Sequence, residues 1–171
     1  MHTHYRTYLI RDWQPRDRTA AANVIQTVLT EYGLGWEGAC SGGADQDAVE
    51  VETHYWQTGG EFWIVESAGQ VVGTAGYCPT RRGERAAELR KMYLLPVVRG
   101  QGLGRYLLQQ LESAAARQGF QSLWLETATV LDRAVALYEK SGYQPATGVE
   151  TTRCDRVYYK RLSPGVPDEI A

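Results

Sequence analysis

Three glycines in five residues, Gly100, Gly102 and Gly104, stand between a β-rich run and a long amphipathic helical pattern. Lacking Cβ atoms, such a turn lets its backbone N–H groups approach an anion while the next helix offers the positive end of its dipole. The helix is read from Leu103, Leu107, Leu111 and Ala114, which share one face until Gly119 caps it. The run before the turn, residues 87–95, is stopped by Pro96. Strand, glycine turn and helix in this order make a phosphate cradle. The dinucleotide fingerprint G-x-G-x-x-G fits poorly because Arg105 stands at its third glycine, and the P-loop sequence G-K-[ST] is absent. A tight turn that merely joins strand to helix is the plain alternative.

The remaining pattern places this unit inside a mixed sheet. Residues 7–13 read as a strand, and Ala21, Val24, Ile25, Val28, Leu29 and Tyr32 form a helical stripe ended by Gly33 and Gly35. Residues 34–44 read as a loop and residues 45–58 as a second, weaker helix closed by Gly59 and Gly60. Two β-rich runs, 62–66 and 70–77, are joined by Ser67-Ala68-Gly69 as a hairpin. Residues 122–127 and 157–162 read as strands and 130–141 as a helix with Ala134, Leu137 and Tyr138 on one face. This order predicts an α/β or α+β fold, a mixed sheet flanked by helices. A chain of 171 residues, 43% hydrophobic and 22% charged, fits a single domain with a core over about residues 7–162 and a loose tail, 163–171. His2 and His4 are expected on a frayed terminus.

Charge and cysteine usage narrow the function classes. A formal charge of −2 gives no global attraction to nucleic acid or an anionic membrane. No apolar run approaches the roughly 18 to 20 residues that span a bilayer, and residues 1–11 lack a signal peptide's apolar centre, so a cytoplasmic protein is expected. Cys40, Cys78 and Cys154 are far apart and form no C-x-x-C pair; they read as free thiols, and no metal site is indicated. Charge is also segregated. Residues 31–61 carry Glu31, Glu37, Asp45, Asp47, Glu50, Glu52 and Glu61 with no Lys or Arg, whereas residues 81–105 carry Arg81, Arg82, Arg85, Arg90, Lys91, Arg99 and Arg105 against Glu84 and Glu88. Solvated faces are one reading; the other sets a cationic acceptor, steered by the acidic segment, beside an anionic ligand on the basic one.

The wider string Glu88-Leu89-Arg90-Lys91-Met92-Tyr93-Leu94-Leu95-Pro96-Val97-Val98-Arg99-Gly100-Gln101-Gly102-Leu103-Gly104 closely resembles the strand and acetyl-CoA loop of the GNAT N-acetyltransferase superfamily, whose loop pattern is [QR]-x-x-G-x-[GA]. A second block, Ala136-Leu137-Tyr138-Glu139-Lys140-Ser141-Gly142-Tyr143, resembles the family's A-x-x-L-Y-x-x-x-G-[FY] helix end. The resemblance spans roughly residues 7–162, with 33–60 matching only in position. It implies the family's acyl-CoA fold with a mostly antiparallel central sheet, acetyl-CoA as cosubstrate without a metal, and a small-molecule amine as acceptor. A homodimer is left open.

Residue by residue, the resemblance implies that the backbone of Met92, Tyr93 and Leu94 pairs with the pantetheine arm. The loop Arg99, Gly100, Gln101, Gly102, Leu103, Gly104 and Arg105 would take the pyrophosphate, with Arg99 and Arg105 suited to it by their guanidinium forks. Tyr138 matches the tyrosine that protonates the departing thiolate, and a phenol is protonated at neutral pH without tuning. Glu88 matches a strand glutamate that acts as general base in some branches. An ion pair with Arg90 or Arg85 is its competing reading, and Glu126 is the reserve base. Leu131 replaces an asparagine that contacts the cofactor in many members. The expected reaction is direct attack of a neutral amine on the thioester. A non-catalytic acyl-CoA sensor of the same fold and a nucleotide-binding oxidoreductase are the rivals.

Overall fold

Short hairpins order most of the sheet. The computed structural model describes residues 1–38 and 43–163. Strands β1 (His2–Tyr5), β2 (Tyr8–Asp12), β3 (Glu61–Ser67), β4 (Gln70–Pro79) and β5 (Ala86–Leu94) follow one another as an antiparallel meander. Helix α1 (Arg18–Glu31) and a short α2 (Gln46–Val49) fall between β2 and β3. A crossover through α3 (Leu103–Arg117) then brings β6 (Ser122–Thr127) beside β5 as the one parallel pair, since parallel neighbours require a long connection. Helix α4 (Asp132–Lys140), β7 (Gln144–Ala146) and β8 (Arg156–Arg161) complete an eight-stranded sheet in the order β1-β2-β3-β4-β5-β6-β8-β7. No helix among the described residues is long and apolar enough to cross a membrane.

Alternation along the strands sorts the core onto two faces. Phe62 and Ile64 of β3 pack with Ala21, Ile25 and Leu29 of α1, while Trp63 and Val65 pack with Leu103, Leu107 and Leu111 of α3. The β3–β4 hairpin turns through Ala68 and Gly69, both at positive φ (48° and 80°), the geometry that matches strand twist in a two-residue loop.

Three expectations from the sequence change. His2–Tyr5 is not a frayed terminus but an edge strand paired with β2 from His2↔Arg11 to Tyr5↔Tyr8. Three-residue β7, with Pro145 inside it, was not anticipated either; proline is tolerated there because the strand lies at the sheet edge. The single helix expected over 45–58 is instead α2 followed by a π-helical turn, Glu52–Trp56. Glu50 leaves helical geometry at ψ 52°, and beyond that break Tyr55 buries its ring and donates to Asp47 at 2.8 Å. Cys40 and all of the expected tail except Ser163 lie outside the described residues.

Candidate active site

The parallel strands β5 and β6 are paired only from Ala86↔Ser122 to Leu89↔Leu125. Beyond Leu89 they part, and among the described residues the backbone of the second half of β5 has no strand neighbour on that side. Lys91 marks the change. It holds φ 52°, the register against β4 shifts between Thr74 and Gly76, and the buried Thr74 hydroxyl donates to the Lys91 carbonyl at 2.7 Å. The extra residue of this bulge reverses the alternation. Leu89 lies in the α3-side core, and so do Met92 and Leu94, whereas Tyr93 packs on the α1 side. The parting strands open a cavity of about 600 Å³, within the usual size of a small-molecule site.

At the wide end of this cleft stands the glycine loop. Gly100 and Gly102 take φ 75° and 82°, and Gly102 is the N-cap of α3 without a side-chain cap of its own. The first amide to close a helical bond is that of Tyr106, onto Gly102, which leaves the earlier amides of the turn available to an anion. The loop is braced from behind by β1 and β2. Tyr5 donates to the Gln101 carbonyl at 3.0 Å and Tyr8 to its side-chain oxygen at 3.1 Å. Arg99 and Gly100 line the cleft, as does Gly104 on the first turn of α3. Gln101 is turned to the tyrosines and Leu103 is buried in the core, so neither offers a side chain to a ligand. Arg105 is exposed on the first helical turn. The Arg99 guanidinium grips Glu31 with two 2.8 Å bonds and the Leu94 carbonyl at 2.7 Å, so it ties the loop to α1 rather than standing free as a phosphate fork. Arg133, which the sequence reading missed, lines the same end from α4. Leu131 also lines the cleft, just before α4.

Tyr138 sits midway, 6% exposed, with its ring edge-on to Tyr143 at 5.8 Å. Among the described residues its hydroxyl has no hydrogen-bond partner, and burial, with smaller contributions from Tyr93 and Cys154, holds its pKa well above a phenol's usual value. The group is protonated and unengaged. Cys154 also lines the cleft, and burial pushes its thiol up to about 11, which disfavours a thiolate nucleophile at neutral pH.

The narrow end carries Glu88 and Glu126, which their surroundings push apart. Burial raises the Glu88 carboxyl, opposed by the charge of Arg90, whose Nε is 3.4 Å from it. Arg90, not Arg85, is thus the ion-pair partner, at a long distance. Glu126 is lowered: burial pushes it up, but the amides of Glu150 and Thr151 at 2.6 and 2.8 Å and the Arg82 guanidinium outweigh that. With its oxygens occupied, Glu126 anchors the loop between β7 and β8.

The two charged segments meet here. Asp45, fully buried, accepts from Lys91 at 2.8 Å and from both terminal nitrogens of Arg153 at 2.6 and 2.5 Å. Asp47 faces Lys91 at 3.1 Å and Arg90 at 3.3 Å, and Glu31 faces Arg99. Glu52 is held by Arg18, and Glu61 by Trp63 and Tyr77. Four of the segment's seven acids, Glu31, Asp45, Asp47 and Glu52, are therefore paired with cations, which weakens the field that the steering expectation draws on. The polarity of the two segments was visible in the sequence; that they would neutralise each other across the fold was not, because Arg153 supplies the third member from a distant loop.

Asp45 is the hub of this wall. Burial pushes its carboxyl up, but the Arg153 bonds and the Lys91 charge win and hold it down at about 2, against an ordinary 3.8. A carboxylate lowered in the folded state stabilises the protein above its unfolded value, and that contribution is lost as pH falls from about 4 towards 2. Asp45→Asn should cost about 3–5 kcal/mol at pH 7, since it leaves two buried cations with one partner fewer. Urea unfolding checks this: a variant within about 0.5 kcal/mol of wild type would show that the cluster is not a stabilising crosslink.

Comparison with known proteins gives a consistent picture. The acetyltransferase (GNAT) family model matches residues 29–143. The uncharacterized N-acetyltransferase YjgM of Escherichia coli (strain K12) is 39% identical over 130 residues, 75% of this chain and 77% of that protein. N-acetyltransferase 8 of Rattus norvegicus is 30% identical over 66% of this chain; the match spans about half, 52%, of that longer protein. Among solved structures, a GNAT-family acetyltransferase from Staphylococcus aureus Mu50 superposes with a TM-score of 0.83 at 19% identity, covering 91% of this chain and 99% of that one. The yncA protein of Salmonella typhimurium, solved with its cofactor acetyl-CoA, superposes at 0.72 and 20% identity, covering 95% and 99%.

Proposed function

This chain belongs to the GNAT acetyltransferase family, and from that premise we propose that it transfers an acetyl group from acetyl-CoA to a primary amine of a small molecule or amino acid, by direct attack within a ternary complex. One observation carries the reading: a single cleft presents a protonated, unengaged Tyr138 and a buried Glu88 with a raised pKa on either side of parted strands. The residues fit acetyl-CoA. Amides at the start of α3 and Arg133 suit its diphosphate, and the unpaired edge of β5 at Met92, Tyr93 and Leu94 suits the amides of its pantetheine arm. The bound thioester supplies the activated acyl group.

The chain's own residues supply the proton handling. Glu88, kept from full solvation, accepts a proton from the acceptor's ammonium or from its nitrogen during attack, directly or through water. Tyr138 donates its hydroxyl hydrogen to the departing sulfur, where negative charge develops. Because burial raises its pKa, Tyr138 keeps its hydroxyl hydrogen at neutral pH and can offer it to the sulfur, but a phenolate left after full transfer is disfavoured there, so the proton it gives up must return promptly. Arg90 stays charged beside Glu88 and limits how far the carboxyl rises.

Two measurements test this. Acetyl-CoA is offered with a panel of amines, and free thiol and acetylated amine are counted together. Equal amounts are expected; tight CoA binding with no thiol release across the panel would favour an acyl-CoA sensor. Secondly, Glu88→Gln should lose activity most at low pH, where an ammonium acceptor needs a base, and least at high pH, where free amine is plentiful. The variant's rate should instead climb with pH along the ionisation of the acceptor amine itself. A uniform loss across pH would assign Glu88 to the ion pair with Arg90.

A further inference from the structure

We propose that the acceptor carries a carboxylate a few bonds from its amine nitrogen, and that Arg90 binds that carboxylate. The inference rests on the acetyltransferase reading for its amine. Glu88 and Arg90 are two residues apart on β5, before the bulge, so both project from the same face of the sheet, the one opposite Leu89. Strand geometry puts their Cα atoms roughly 7 Å apart. A ligand that gives its nitrogen to Glu88 and an anionic group to Arg90 is thus the size of an amino acid.

Among the described residues, Arg90 is the cation on this wall with binding capacity left. Arg153 grips Asp45 through both terminal nitrogens, Lys91 is met by the Ala44 carbonyl, Asp45 and Asp47, and Arg99 is clamped to Glu31. Among the described residues Arg90 has two long contacts, 3.3 Å to Asp47 and 3.4 Å to Glu88, for a guanidinium with five N–H donors, and its side chain is 36% exposed while lining the cleft. A planar fork of this kind matches a carboxylate with two parallel bonds. The cleft's charge agrees. Its lining carries Arg90, Lys91, Arg99, Arg133 and Arg153 against Glu88 and Glu126, while Asp45 and Asp47 lie beneath the lining rather than on it. Lys91, Arg99 and Arg153 are balanced by Asp45, Asp47 and Glu31 just behind the lining, so Glu88 and Arg90 offer one place for each charge of an amino acid, whereas a polyamine has no anionic group to give Arg90.

Calorimetry on the CoA complex separates this from a merely structural Arg90. The probes are the N-acetyl derivatives of the standard amino acids and their matching carboxamides, which differ only in the anionic group. Wild type should bind at least one N-acetyl amino acid about 10- to 100-fold more tightly than its carboxamide. Arg90→Met should bring the pair within about threefold, and Arg90→Lys, which keeps the charge but loses the fork, should fall between. If Arg90→Met does not fold, Arg90→Lys carries the comparison, with a reduced preference expected. No preference in wild type, or a preference that survives at Arg90→Lys and Arg90→Met unchanged, overturns the inference. The two readings fail separately. An Arg90-dependent preference without thiol release from any amine would sink acetyl transfer and leave the carboxylate site standing. Thiol release with simple amines as fast as with amino acids would do the reverse.

Discussion

Gly104→Val should remove CoA binding, lowering affinity at least about 100-fold, while the protein stays folded. The position separates the two effects. Gly104 lies in the first turn of α3, and a Cβ there would meet Leu137, Leu94 and Met92 at 3.6–3.9 Å, ordinary contact distances. Valine at a helical position is no worse than glycine in propensity, so the thermal midpoint should move by only a few degrees. Its two methyl groups would enter the cleft where the amides at the helix start must approach a phosphate. Gly102→Val is the less informative variant: its φ of 82° and a Cβ only 2.6 Å from the Tyr5 hydroxyl would strain the fold as well. Calorimetric titration with CoA decides it, and equal affinities for Gly104→Val and wild type would place the diphosphate elsewhere.

Tyr138→Phe should bind CoA normally and turn over about 10²- to 10⁴-fold more slowly, the usual cost of losing a general acid. Removing this hydroxyl leaves no buried partner orphaned, because among the described residues nothing is bonded to it, so stability should be unchanged or slightly higher. That combination distinguishes chemistry from packing. Unchanged kcat, with the chemical step shown to limit the rate, would make Tyr138 a core aromatic beside Tyr143.

What the sequence made legible was local. The glycine loop, the helix after it and the Tyr138 block are contiguous strings whose residue types state their own geometry, and α1, α3 and α4 appear close to their expected limits. What it hid depends on distant parts of the chain. β1 alternates His, Thr, His and Tyr with no apolar run, and becomes a strand only because β2 offers an edge. The bulge at Lys91 leaves no mark in composition, yet it decides which faces Met92, Tyr93 and Leu94 occupy. Arg99 reads as a phosphate ligand by charge alone, and only the fold shows Glu31 holding it. Glu88 and Glu126 look equivalent as strand carboxylates; their opposite pKa shifts arise from amides and guanidiniums more than twenty residues away in the case of Glu126 and from burial in the case of Glu88.

We propose that the acetyl group passes between the parted ends of β5 and β6, with Tyr138 on the sulfur side and Glu88 on the amine side. A crystal structure of the protein with CoA and an N-acetylated product tests it most directly. The expected result has the diphosphate on the amides before Tyr106, the pantetheine arm paired with the backbone of Met92 to Leu94, the sulfur in hydrogen-bonding reach of the Tyr138 hydroxyl, and the product nitrogen facing Glu88 directly or through one water. A sulfur remote from Tyr138, or a product bound outside the gap between the two strands, would contradict it.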